Sequence, residues 1–230
     1  MSADSANTGW RAFVSTSRGL SAFEFVLGAA IVIGHNVFRV VPNEVPILFV
    51  LGLVSFRLRN GGWAAMGFKR PDSWMRIVAI AVAAAATRIV LGEFVTDPLT
   101  SLIWPPAVAP AGVESIAGDV KTALMYLGIV WTFAAFGEEI SYRGYLLNRA
   151  ADVGGRSTAA YWISVVLVAI LFGYGHFYKG PSGIIDSGVA GLILGAAFMI
   201  SGRNLWTCVI AHGLIDTFGI AALYFGWDTA

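Results

Sequence analysis

Trp131-Thr-Phe-Ala-Ala-Phe-Gly-Glu-Glu-Ile-Ser-Tyr-Arg143 decides how this chain is read. An apolar run fit to enter a membrane ends on two adjacent carboxylates, Glu138 and Glu139. Ionisable side chains in such a run are costly to bury, and they ordinarily face a partner or a polar cavity. Helix geometry separates the two. Adjacent helical residues point about 100° apart, so only one glutamate faces a given pocket. Glu139 and Arg143 stand at the i,i+4 spacing that pairs side chains on one face. The expectation is a Glu139–Arg143 clamp, with Glu138 left free for chemistry.

The rest of the composition fits a membrane setting. The chain has 230 residues, of which 57% are hydrophobic and 13% charged. A soluble domain carries about 25% charged residues. The expected class is therefore all-α, a polytopic transmembrane bundle of about seven spans with its polar site inside. A net charge of +1 offers no footprint for nucleic acid. The one cysteine, Cys208, has no internal partner and reports no redox compartment. The first apolar run, starting near Leu20, is long enough to span and reads as an anchor.

Eight prolines punctuate the chain and help to bound the spans. The expected spans are 20–41, 43–58, 74–95, 120–150, 158–178, 183–201 and 204–226, the second being short and the fourth long. They divide the chain into a polar tail (1–19), N-terminal helices with an outer Pro-rich loop (20–119), and a catalytic core (120–226). With the N-terminus in the cytoplasm, the inner segments hold Arg11, Arg18, Arg57, Arg59, Lys69, Arg70, Arg76, Arg143, Arg149, Arg156 and Arg203, and Arg88 falls inside a span. The outer segments hold Arg39, Lys121 and Lys179. Trp74, Trp104, Trp162, Trp206 and Trp227 fall near span ends, as an interfacial belt does.

Three further polar sets interrupt the later spans. Phe172-Gly-Tyr-Gly-His176 closes the fifth, where a lone histidine reads equally as an interfacial residue or a site. His212-Gly-Leu-Ile-Asp216 places an imidazole and a carboxylate on one helix face, either as a satisfied buried pair or as part of a site. Asp186, in the sixth span, either lines the same cavity or sits near the outer interface after Pro181-Ser-Gly, the second reading being preferred. At the helical rise, Glu138 stands roughly 21 Å and His176 roughly 28 Å from the turn joining their helices. Helix tilt brings both, with His212 and Asp216, to one layer near mid-membrane.

A carboxylate and an imidazole facing one cavity can activate a water. A second imidazole and a polar side chain can stabilise an oxyanion. No Ser or Cys nucleophile is needed. The set Glu138, His176 and His212 could instead hold a zinc ion with an open water position, although no His-Glu-x-x-His motif is present.

In this order the motifs resemble the CPBP family of intramembrane proteases, which includes the CAAX prenyl endopeptidases and the bacterial Abi proteins. Glu-Glu-x-x-x-Arg is Glu138, Glu139 and Arg143; Phe-x-x-x-His is Phe172 and His176; His-x-x-x-Asn/Asp is His212 and Asp216. The likeness spans about residues 120–218. It implies a glutamate-type endopeptidase without a cofactor. Glu138 and His176 would activate water, His212 and Asp216 would polarise the scissile carbonyl, and Glu139, Arg143 and Phe172 would support them. Asp216 departs from the asparagine of the eukaryotic enzymes; ionised, it would repel an oxyanion, so it would serve either protonated or by orienting His212 instead. The implied partners are a peptide or membrane-protein substrate and the lipid bilayer, and the Ala/Gly/Val-rich composition reads as a bacterial inner membrane. The competing readings are a zinc protease using the same residues and a non-enzymatic scaffold, immunity or transport protein.

Overall fold

The computed structural model describes residues 10, 12–59 and 61–227, and every regular element among them is helical. The apolar helices are α1 (Arg18–Asn36), α2 (Glu44–Leu58), α4 (Trp74–Leu91), α6 (Val120–Ile129), α8 (Thr158–Tyr174), α9 (Gly180–Ile200) and α10 (Leu205–Phe225). Shorter pieces complete the chain: α3 (Trp63–Met66), α5 (Asp97–Ser101) and α7 (Leu147–Val153). A π-turn (Gly92–Thr96) joins α4 to α5, and two π-helical stretches (Val130–Glu138, Ile140–Leu146) join α6 to α7. Of the expected tail, residues 1–9 and 11 lie outside the described residues, and 12–16 are helical.

The boundaries follow local chemistry. Ser17, Asn43, Ser73, Asp119, Ser157 and Asn204 each accept a backbone N–H as the side-chain N-cap of an apolar helix. The remaining helix, α9, starts instead with a proline in its first turn. All seven expected spans are helical. Five helical stretches are long and apolar enough to cross a membrane: Arg18–Asn36, Trp74–Ser101, Val120–Val153, Phe177–Ile200 and Leu205–Phe225. The 15-residue α2 and 17-residue α8 are shorter. The chain is a helical integral membrane protein, and apolar side chains such as Phe23, Val50, Val82 and Ile163 face outward from the bundle, as lipid-facing positions require.

Two segments differ from their sequence reading. The first span stops at Asn36 rather than running to 41, because the chain turns there and Arg39 adopts a left-handed φ of 57°. The long fourth span is not a continuous α-helix. Through 130–146 its ladder widens to the π form, a geometry concentrated at functional sites. Polar side chains take up carbonyls along and just past this stretch. Ser141 Oγ donates to Gly137 O (2.8 Å), and Asn148 Nδ2 donates to both Gly144 O (2.9 Å) and Arg143 O (3.2 Å).

Helices α8 and α9 pack closely because glycine lines their seam. A Cβ on Gly173 would stand 2.6 Å from Ile184 O. Asp186 of α9 ion-pairs with Arg88 of α4 and so ties these two helices together.

Candidate functional site

The π-helical segment presents its two glutamates to different surroundings. Glu139 is fully buried. Its Oε1 accepts from Arg143 Nη1 at 2.7 Å and from His212 Nδ1 at 2.8 Å. The clamp read from the sequence is therefore present, and it extends to a third residue on α10. Glu138 is half-buried, yet its Oε2 is enclosed and has no hydrogen-bond partner among the described residues. A bare buried carboxylate oxygen calls for a visiting donor, either water or substrate.

Arg143, 1% exposed, is the hub of the packing. Beyond Glu139, its Nη2 donates to Gly191 O at 3.2 Å, and its guanidinium lies 4.5 Å from the centre of the Phe172 ring. Phe172 is a wedge: it meets Tyr142 edge-on at 5.1 Å, His176 at 4.8 Å and His212 edge-on at 6.0 Å. One apolar ring thus spaces residues from all three motifs.

The histidines are oriented by fixed acceptors. His176 lies just past the end of α8, not within a span, and its Nδ1 meets Phe172 O at 2.9 Å. A carbonyl only accepts, so Nδ1 carries the proton and the neutral ring offers a lone pair at Nε2. His212 is 7% exposed; Glu139 holds its Nδ1, and Asp216 Oδ2 faces its Nε2 at 3.6 Å. The acid that fixes the His212 ring is therefore Glu139. The Asp216 contact is too long for a direct hydrogen bond. Behind His212, the Trp131 ring lies where a Cβ on Gly213 would stand 2.5 Å from it, and Trp131 Nε1 donates to Thr217 Oγ1 at 3.1 Å.

Residues that the sequence reading passed over also reach this region. Tyr142 O–H donates over a long 3.5 Å to Glu44 Oε1 at the first turn of α2. The same hydroxyl sits where a Cβ on Gly175 would meet it at 2.6 Å, next to His176. Glu44 Oε2 faces His35 Nε2 at 3.4 Å, while His35 Nδ1 bonds Val41 O at 2.9 Å. A buried Glu near a proline-marked helix start was the available signal, but nothing in the spacing linked it to Tyr142.

Among the described residues, no three His, Cys, Asp or Glu side chains are placed to hold a metal ion.

The family model described as type II CAAX prenyl endopeptidase, Rce1-like, matches residues 120–218. Over these residues the chain is similar to the Rce1-like proteases of the CPBP family. This is the stretch that holds all three motifs, from the cap of α6 to just past Asp216. Neither the curated proteins nor the solved structures gave a match.

Proposed function

We propose that the protein is an intramembrane endopeptidase in which Glu138 and His176 activate a water, while His212 stabilises the oxyanion formed on a peptide carbonyl. The coarse class, an intramembrane CAAX-type protease, rests on the family of residues 120–218. The assignment of roles rests on one contrast: Glu139 is tied through Oε1 to Arg143 and His212, whereas the adjacent Glu138 makes no hydrogen bond or ion pair among the described residues, although each has a buried Oε2 without a partner.

The chemistry follows in balanced steps. Water donates one hydrogen bond to the Nε2 lone pair of His176 and transfers a proton to Glu138 as its oxygen attacks the carbonyl carbon. The carbonyl π electrons move to oxygen. His212, as an imidazolium, keeps Nδ1–H on Glu139 and gives Nε2–H to that oxyanion. Asp216, at 3.6 Å, balances the imidazolium charge without claiming its proton in a short bond. On collapse the C–N bond breaks, and Glu138 returns its proton to the leaving amine. This reading turns Asp216 from a residue that repels the oxyanion into one that keeps its donor charged.

The substrate class we favour is a membrane-associated peptide or protein, reached from within the bilayer. The test is cleavage by the purified protein in lipid nanodiscs, with prenylated and unprenylated CAAX-ended peptides as probes and fragments read by mass spectrometry. Cleavage that a zinc chelator does not slow and that Glu138→Gln abolishes is the expected result. Retained cleavage in Glu138→Gln overturns the assignment.

A further inference from the structure

At the end of the bundle remote from His176, the fold gathers cations around a recess of about 170 Å³. It lies between the 61–72 connector, the floor of α7 and the turn into α10, and its walls include Lys69, Asn148, Arg156, Tyr161, Phe198 and Arg203. Arg156 is paired with Asp152. The other two cations have no carboxylate within ion-pair distance among the described residues. Lys69 Nζ donates to Gly202 O at 2.8 Å, and the Arg203 guanidinium lies 4.6 Å over the Tyr161 ring.

The backbone singles out the two arginines. Gly155-Arg156 and Gly202-Arg203 follow the ends of α7 and α9, and both pairs turn through the left-handed region. Arg156 has φ 58° and Arg203 φ 61°, and their N–H groups close the helix ends on Ala151 O (2.9 Å) and Phe198 O (2.7 Å). A side chain is disfavoured there, and glycine or asparagine would serve the turn more easily. Among the described residues Arg39 is the one other non-glycine with positive φ, in a separate turn. Two strained arginines facing one polar recess indicate a use for their side chains.

The level of the recess identifies the ligand class. Trp63 and Trp74 are about half exposed at this end, and Trp206 packs on Phe68 and Trp74. Tryptophans of this kind sit at headgroup depth. Arginine forks match phosphate oxygens, and basic pockets between spanning helices take anionic headgroups. We propose that this recess binds the phosphate of an anionic phospholipid headgroup. Inorganic phosphate shares the chemistry, but the interfacial tryptophans favour the lipid. The floor residue Asn148 hydrogen-bonds Arg143 O and Gly144 O, so the bound headgroup would rest on the helix that carries the candidate site.

The test uses the whole chain in phosphatidylcholine nanodiscs with and without phosphatidylglycerol, with retained lipids counted by native mass spectrometry. The wild type is expected to retain phosphatidylglycerol over phosphatidylcholine by about thirtyfold, the scale of two interfacial cations. Arg156→Gln/Arg203→Gln removes the preference. Arg203→Gln alone, which breaks no ion pair, reduces it by about fivefold, and Arg70→Gln, a neighbouring cation outside the recess, leaves it intact. An unchanged preference in both recess variants overturns the proposal. Equal loss in Arg70→Gln also overturns it, by showing diffuse surface charge. Thermal protection by inorganic phosphate in detergent, without any phosphatidylglycerol preference, overturns the lipid assignment.

Discussion

Two buried charged regions lie on the same long helical stretch, and they are built on opposite plans. Around Arg149, every carboxylate has several partners. Glu24 accepts from Arg59 at 2.9 Å and from Ser55 at 2.7 Å, with Arg149 at 3.8 Å; Asp152 meets Ser21 and Arg149 at 3.2 Å and also Arg156. This clamp ties α1 and α2 to α7, and Arg149 also lies 4.6 Å over Phe56. Near Glu138, by contrast, one carboxylate is held through a single oxygen, Glu139 Oε1, and its neighbour makes no hydrogen bond or ion pair among the described residues. Saturated charge builds architecture. A carboxylate without a partner is left available for chemistry.

The comparison breaks first if the second region behaves like the first. His176→Gln, which keeps the side-chain volume near Phe172, is expected to lower the cleavage rate by about 10³-fold while the melting temperature holds, since proton-transfer groups contribute about 10²–10⁴-fold. Glu139→Ala acts on both readouts. It strands the buried Arg143, so a loss of about 3–5 kcal/mol in unfolding free energy accompanies loss of cleavage. Arg149→Met sharpens the contrast from the other side. Calorimetry is expected to show a loss of about 1–3 kcal/mol, with the turnover of the folded fraction within about twofold of wild type.

Smaller effects follow. Tyr142→Phe removes the hydroxyl that links Glu44 to the Gly175 turn; kcat is expected to fall by up to about tenfold with KM unchanged, because a small displacement of His176 is costly. The weakest effect belongs to the exposed cap of α6. Asp119 is held below its usual 3.8, first by the Thr122 hydroxyl and then by the Thr122 and Lys121 N–H groups. A depressed carboxylate contributes stability that is present above pH 3.8 and is lost as pH falls through the lower folded value. The melting temperature of the wild type should therefore drop more on acidification through that range than that of Asp119→Asn.

Much of this was legible in the chain. The Glu139–Arg143 pair follows from i,i+4 spacing, and the caps at Ser17, Asn43, Ser73, Asp119, Ser157 and Asn204 are all of the preferred residue types. The three motifs marked the same 120–218 segment that the family model matches. What escaped was tertiary. The Glu139–His212 bond joins residues 73 apart and the Arg88–Asp186 pair residues 98 apart. Both depend on which helix faces meet, and hydropathy is blind to that when every face is apolar. The π-helical ladder escaped because its hydrogen bonds leave the apolar pattern intact. Glu44 and His35 escaped because the N-terminal spans carry no motif to draw the eye.

The central claim concerns two neighbouring glutamates, and it is tested most directly by carrying both through one preparation. Glu138→Gln and Glu139→Gln are purified in nanodiscs, and peptide cleavage and melting temperature are measured on the same samples. The account predicts that Glu138→Gln loses cleavage and keeps its melting temperature, while Glu139→Gln, with a neutral group beside buried Arg143, loses both. Cleavage that survives in Glu138→Gln, or a melting temperature that falls in Glu138→Gln and holds in Glu139→Gln, would contradict it.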